Sequence, residues 1–179
     1  MAAISRARAA LGLLLTTALA IIALPAPAAT AQSVDVVCTG TETVAYQPGL
    51  LLTPQTVHVV VTGTLTPCHS SDAGITAGGY QDNFAATLSC ATLLAPRPGT
   101  RVVHWSNGRS STFTYDSRIN DAGGQTTVTF SGVITGGEFT GDRVVEQVAF
   151  VTPAAAQCLA SPGLTTLGPG PVVLTIAGV

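Results

Sequence analysis

The sequence predicts an all-β protein: an antiparallel β-sandwich of about eight strands with two disulfides, or alternatively a small closed β-barrel. Short segments of alternating apolar and polar residues recur along the chain, and turns rich in glycine, proline, asparagine and aspartate separate them. No segment after residue 31 has the apolar period of a helix. The four cysteines suit two disulfides. Strand number alone does not distinguish two packed sheets from one closed sheet.

The first three strands are predicted from composition and alternation. Residues 34–46 are rich in threonine and valine, and residues 55–65 place Val57, Val59 and Val61 on one face. A third, weaker alternating strand follows at 80–91. The segments between and after these strands contain proline or glycine and are predicted as loops: 47–54, 67–79 and 93–99.

The strongest signal is the stretch 101–135, which predicts three antiparallel strands joined by two turns. Asn107-Gly108 separates the strands 102–105 and 112–115, because both residues tolerate the positive φ of a type I′ hairpin turn. A glycine-containing turn near Asp121 then leads to the strand 125–135.

The end of the chain predicts two more strands. Residues 143–152 alternate, with Val144, Glu146 and Val148 on one face. A proline- and glycine-rich crossing is predicted at 153–171, and a short strand closes the chain at 172–177.

Residues 1–31 are predicted to be a signal peptide. Arg6 and Arg8 precede a 16-residue apolar run, Ala9–Leu24, and Ala29-Thr30-Ala31 has the small-x-small pattern that signal peptidase recognises. The run is shorter than the roughly 20 residues that span a membrane, so we expect cleavage after Ala31 and no membrane anchor afterwards. The expected product is one secreted, extracellular domain, residues 32–179.

The charge pattern argues against a nucleic-acid partner. The sequence contains no lysine and seven arginines, two of which lie in the predicted signal peptide, against nine carboxylates. Binding to a phosphate backbone requires dense cationic groups, which the secreted part lacks.

The cysteines predict the covalent frame of the domain. Cys38, Cys68, Cys90 and Cys158 contain no Cys-x-x-Cys pair, and in a secreted chain they indicate disulfides rather than a metal site. Three connectivities are possible. We favour Cys38 with Cys68, because that bond would tie the start of the first strand to the end of the second; Cys90 with Cys158 then follows by exclusion.

The first candidate binding surface comprises Asn107, Arg109, Glu138 and Asp142. The order of the strands brings the turns that carry these residues to one end of the sheet, and loops on a rigid scaffold commonly carry recognition. The alternative is that these charges are simply solvated. A calcium site shared with Asp121 is not expected, because the strand 125–135 spans about 36 Å and separates the turns.

The second candidate surface is Leu50-Leu51-Leu52, between two prolines. If exposed, these leucines would form an apolar patch for a protein partner. The alternative is that they cap the core.

No catalytic or cofactor motif is present, which argues against an enzyme and predicts no cofactor and no metal. The nucleophile elbow, zinc helix, phosphate loop and dinucleotide fingerprint are all absent. His58, His69 and His104 are interpreted as solvated strand or loop residues, although a hydrolase using His58 or His104 is kept as an alternative.

Several segments resemble a group of small secreted proteins of Streptomyces and related actinobacteria, a group without an assigned activity. They are Cys38-Thr39-Gly40-Thr41-Glu42-Thr43, Tyr46-Gln47-Pro48-Gly49-Leu50, residues 104–108 and residues 132–142. The resemblance implies secretion and a disulfide-bonded β fold, and it carries over no functional residue.

These observations together predict a secreted, non-catalytic module that binds a protein or glycan at the cell envelope or outside the cell. A protein inhibitor or a carrier of a small ligand is the further alternative. A deep pocket with converging polar groups would favour a carrier or an enzyme over a module that binds through a flat surface.

Overall fold

A computed structural model describes residues 33–93 and 95–178 as a single antiparallel sheet that closes into a barrel. The predicted signal peptide, including its cleavage site after Ala31, lies outside the described residues. The strands are β1 (Val34–Leu50), β2 (Gln55–Ser70), β3 (Gly78–Leu88), β4 (Pro98–Trp105), β5 (Ser110–Ala122), β6 (Gln125–Gly137), β7 (Arg143–Val151) and β8 (Leu164–Ala177), and a short 3₁₀ helix, Ala155–Cys158, precedes β8.

The all-β class and the eight antiparallel strands are confirmed, and of the two arrangements considered the structure adopts the closed barrel rather than the β-sandwich. Each strand pairs with the next along the chain, and β8 pairs with both β7 and β1. This second pairing closes the sheet, so the first and last strands are not free edges.

The disulfide connectivity that we favoured is confirmed. Cys38 and Cys68 face each other in the β1–β2 register and are bonded. Cys90 and Cys158 form the second bond, which joins the β3–β4 loop to the 3₁₀ helix.

Several predicted boundaries are wrong, and the largest differences arise where the paired strands continue through prolines and glycines. β1 extends to Leu50, and β2 extends to Ser70. β8 begins at Leu164 rather than at 172, since residues 164–171 of the predicted crossing pair with β1. Register shifts in the β1–β8 ladder interrupt its regular hydrogen bonding, which is where proline is tolerated.

The hairpin between β4 and β5 is confirmed, but its turn differs from the predicted type I′. Gly108 has a φ of 82°, whereas Asn107 is not among the described residues with positive φ. The Gly108 N–H donates to the Trp105 carbonyl, and the Trp105 N–H donates to the Arg109 carbonyl. This is the longer hairpin loop in which only the glycine needs the left-handed conformation.

The two ends of the barrel differ. At the closed end, which carries the loops 71–77, 106–109 and 138–142, apolar side chains fill the interior; they include Val103, Trp105, Phe113 and Ile134. The open end carries the loops 51–54, 89–97, 123–124 and 152–163. The interior at the open end contains a cavity.

Candidate functional site

The cavity at the open end has a volume of about 360 Å³. Its walls are mainly apolar and aromatic, because the alternating residues of all eight strands point inward there; they include Val44, Tyr46, Val59, Val128, Phe130 and Phe150. An eight-stranded barrel is just wide enough either to be filled by side chains or to enclose one small ligand. This barrel is filled at one end and hollow at the other.

A buried ionic cluster forms the floor of the cavity and separates it from the apolar core. Arg101 lies at its centre and is 3% exposed. Its Nε donates to Asp82 Oδ2 at 2.8 Å, and its Nη1 donates to Glu146 Oε1 at 2.7 Å. Nη1 also lies 3.2 Å from Glu42 Oε2. One guanidinium therefore serves three carboxyl groups, two of which, Glu42 and Asp82, line the cavity.

Tyr80 links two of these carboxyl groups. Its Oη lies 2.7 Å from Glu42 Oε2 and 2.5 Å from Glu146 Oε1. A phenol has a single proton, so it can donate to only one of them. The other contact becomes a hydrogen bond when that carboxyl is protonated and donates to Tyr80 Oη. With one extra proton on a carboxyl group, both contacts are hydrogen bonds.

The raised pKa of Glu42 allows this carboxyl group to hold such a proton at neutral pH and below. Burial raises the pKa of Glu42 to about 7; Arg101 opposes the shift, and the nearby Glu146 adds to it. Burial and the adjacent Glu146 and Glu42 also raise the pKa of Tyr80, so its hydroxyl stays neutral. Although burial alone would disfavour its charge, Glu146, Tyr80 and Glu42 together raise the pKa of Arg101, which remains a cation.

Aromatic rings and a glycine hold the cluster in position. The Arg101 guanidinium stacks on the Tyr80 ring, 3.9 Å from its centroid, and lies 5.1 Å from that of Phe130. On the other side, Tyr80 lies against Gly63 of β2, where an added Cβ would be only 2.0 Å from the ring. Only glycine leaves room there for the tyrosine to reach the carboxyl groups.

A seam between β3 and β4 gives the cavity its opening. These strands pair only at Gly78 with Trp105 and at Gly79 with His104, close to the closed end. Beyond that point the two strands have no paired residues, and Arg101 links them through its ion pair with Asp82 and its stacking on Tyr80. Phe84, which lines the cavity on β3, is 45% exposed at this opening.

The rim of the opening is held in place covalently and by hydrogen bonds. The β3–β4 loop contributes Leu93 and Ala95 to the cavity lining, and the Cys90–Cys158 disulfide attaches this loop to the β7–β8 connection. At the other end of the loop, the Arg97 N–H donates to Ser117 Oγ at 2.7 Å. The rim is therefore anchored on both sides.

The predicted turn surface lies at the closed end, away from the cavity, and the structure brings three of its four residues together. Arg109 forms ion pairs with Glu138 at 2.5 Å and with Asp72 at 3.1 Å. The Asn107 amide also donates to Asp72. Hydrogen bonds from the Gly74 N–H and this amide, together with Arg109, lower the pKa of Asp72.

Asp142 is at the same end but outside this set of contacts. Partial burial and the neighbouring Asp35 carboxylate raise the pKa of Asp142. The turn near Asp121 lies at the opposite end, as the strand order predicts, because Ala122 pairs with Gln125 whereas Ser111 pairs with Gly137.

The three leucines of the second candidate surface do not share one environment. Leu50 is fully buried in the core, Leu51 is partly buried and Leu52 is 53% exposed. They do not form a continuous exposed patch.

The three histidines lie outside the cavity. His58, His69 and His104 are all exposed, and none of them lines the cavity. Among residues 33–93 and 95–178, no cluster of three or more histidines, cysteines or carboxylates is arranged to hold a metal ion. In the same part of the chain, no helix has the length and apolar character needed to cross a membrane.

The ionic cluster was not among the features predicted from the sequence, although the sequence contains one signal for it. Glu146 alternates with Val144 and Val148, and Arg101 alternates with Val103 and Trp105. A charged residue on an otherwise apolar strand face must be buried with a partner. Charges of both signs on such faces therefore indicate an internal ion pair.

Fold and cavity together define a class: closed, eight-stranded antiparallel barrels with a half-filled interior. No protein-family model, no curated protein and no solved structure matches this chain. The resemblance to secreted actinobacterial proteins stays a prediction.

Proposed function

We propose that this protein is a secreted, non-catalytic binding protein that holds one small, mostly apolar molecule inside the open end of its barrel. The cavity of about 360 Å³ carries the proposal. Ligand sites are typically concave, mostly apolar and supplied with a few converging polar groups. Here the walls are apolar and aromatic, and Glu42, Asp82 and Arg101 supply the polar groups.

The build of the barrel supports a preformed site. The Arg101–Asp82 ion pair spans the seam, and the Cys90–Cys158 disulfide anchors the rim, so the walls stay in position without a ligand. A preformed cavity avoids the entropic cost of ordering the protein on binding. Two disulfides are also compatible with an oxidising compartment, which suits the predicted signal peptide.

The other expected functions have less support. A protein or glycan ligand at the closed-end turns stays a prediction; Arg109, Glu138 and Asp72 are already paired with one another there. A hydrolase would have to use carboxyl groups, since none of the described residues that line the cavity is a histidine.

The test is titration of the purified protein with N-phenyl-1-naphthylamine, an apolar probe whose fluorescence rises in a dry site. We expect saturable binding of one probe per chain. Ile119, which lines the cavity on β5, is replaced by tryptophan to reduce the volume. Asn120→Trp, on the exposed face of the same strand, is the matched control.

We expect Ile119→Trp to weaken binding by about tenfold or more, and Asn120→Trp to bind like the wild type. If Ile119→Trp does not fold, as judged by circular dichroism, Ala95→Trp on the exposed rim replaces it. Absence of saturable binding by the wild type, or equal binding by the cavity and control variants, would refute the proposal.

A further inference from the structure

We infer that the ligand carries one positively charged group on an apolar body, in the manner of an apolar primary amine, and that Asp82 and Glu42 receive this charge at the cavity floor. The inference rests on the proposed function, because it assigns the chemistry of the molecule that the cavity would hold.

The charge balance of the floor is the first argument. Arg101 is the cation of the cluster, and it faces the carboxyl groups of Asp82, Glu42 and Glu146. Even with a proton on Glu42, the cluster has one more negative than positive charge. Arg97 also lines the cavity, but it is exposed at the rim, where water and salt screen it from the floor. A buried cluster of this kind is short of a cation.

The hydrogen-bonding capacity of the cluster agrees with this charge balance. Glu146 lies behind the cavity lining and is fully buried, and its Oε2 accepts no hydrogen bond from the described residues. Asp82 uses Oδ2 for Arg101, and its side chain is 18% exposed toward the opening. The cluster therefore has more acceptors than donors. An ammonium group brings three donors and no acceptor.

The cavity walls suit the same ligand. Phe84, Tyr115 and Phe130 line the cavity between the floor and the opening. Aromatic faces attract cations and also bury an apolar body. An anionic ligand would gain little, since Arg101 already shares its charge among three carboxyl groups and the ligand would lie beside Asp82.

Binding of a cation should also displace the proton of Glu42. Tyr80, Arg101, Glu146 and Asp82 face this carboxyl group, and Tyr46 lies near it. An aliphatic ammonium keeps its charge up to a pH of about 10, so only the protein titrates near neutrality. Because the pKa of Glu42 is about 7, the fraction of ionised Glu42 rises roughly tenfold from pH 6 to pH 8. We expect the affinity for an amine to rise by a similar factor.

The test compares three probes of matched shape by isothermal titration calorimetry at pH 8: 4-phenylbutylamine, 4-phenylbutan-1-ol and 4-phenylbutanoate. We expect the amine to bind most tightly and the carboxylate most weakly. Asp82→Asn and Glu42→Gln should each lower the affinity for the amine by about tenfold or more, since a charged hydrogen bond is lost. Each should change the affinity for the alcohol by less than about twofold. Asp116→Asn, at an exposed position on β5, is the control and should change neither.

The outcomes separate this inference from the proposed function. If the alcohol or the carboxylate binds as tightly as the amine, the cavity binds small molecules but the inferred charge is wrong. If Asp82→Asn and Glu42→Gln lower the affinities for the amine and the alcohol equally, the carboxyl groups affect only the shape of the site, and the inference also fails. If none of the probes binds, and N-phenyl-1-naphthylamine does not bind either, the proposed function itself is refuted.

Discussion

Replacing Glu42 by glutamine tests whether this buried carboxyl group takes up a proton in the folded barrel. Glutamine has the shape of a protonated glutamate and cannot ionise, and its amide can still donate to Tyr80 Oη. The variant therefore imitates the neutral form of Glu42 at every pH. Its effect on the free energy of unfolding should depend on pH in a direction that the structure determines.

The direction follows from the raised pKa of Glu42. In the unfolded chain this carboxyl has an ordinary pKa near 4.5, whereas in the folded protein the value is about 7. Between these values the folded protein holds a proton that the unfolded chain has released, so the wild type loses stability as pH rises through this window. A shift of this size corresponds to at most about 3 kcal/mol. Glu42→Gln has no such loss.

We expect the two proteins to be similarly stable at pH 4.5, and the variant to be more stable at pH 8 by up to about 3 kcal/mol. Urea unfolding at several pH values measures the difference, with the fluorescence of Trp105, the single tryptophan, as the probe. Taking the difference between the proteins cancels the titration of every group that behaves alike in both. Asp116→Asn, on the exposed surface, should give a difference that does not change with pH.

Two results would refute the reasoning about Glu42. A difference that is constant from pH 4.5 to 8 would mean that Glu42 is ionised throughout. A variant that becomes less stable than the wild type as pH rises would mean that the ionised carboxylate stabilises the fold.

Three further substitutions test other parts of the structure by urea unfolding. Arg101→Met leaves three buried carboxyl groups without their cation and should cost about 3–5 kcal/mol at pH 7, and less at pH 4 because the carboxyl groups can then protonate; an equal cost at both values would argue against this account. Replacing Cys90 and Cys158 by serine opens a link across 68 residues and should cost about 4 kcal/mol, whereas unchanged stability would show that the bond does not constrain the rim. Arg109→Ala should cost less than about 1 kcal/mol, because its side chain is 60% exposed, and a loss of several kcal/mol would contradict that expectation.

Local patterns in the sequence were sufficient to predict the existence and order of the eight strands, but not all of their ends, and the pairing of the disulfides. Alternation in 143–152 assigned Val144, Glu146 and Val148 to one face, and that face points inward. The pairing of Cys38 with Cys68 followed from the hairpin that joins their strands. These predictions depend on residues that are neighbours along the chain or on adjacent strands, which a single sequence shows directly.

Closure of the barrel and the cavity could not be predicted in the same way. Closure depends on the pairing of β8 with β1 at the other end of the chain, and prolines in residues 164–171 conceal part of that strand. The cavity depends on where β3 and β4 stop pairing after Gly79, which no local pattern marks. Both features result from contacts between distant segments, so they require the complete register of the sheet.

If the cavity binds a cationic ligand as inferred, the ionic cluster would connect the stability of the barrel to that binding. After Gly79, toward the open end, β3 and β4 have no paired residues, and the ion pair between Arg101 and Asp82 joins these two strands. Asp82 is also a carboxylate that a cationic ligand would contact at the floor. A cationic ligand that bonds to Asp82 would therefore weaken the ion pair between Asp82 and Arg101. Its apolar body would add contacts to the same two strands. Binding of such a ligand and the stability of the seam would then depend on the same few buried charges, which are costly to bury without partners.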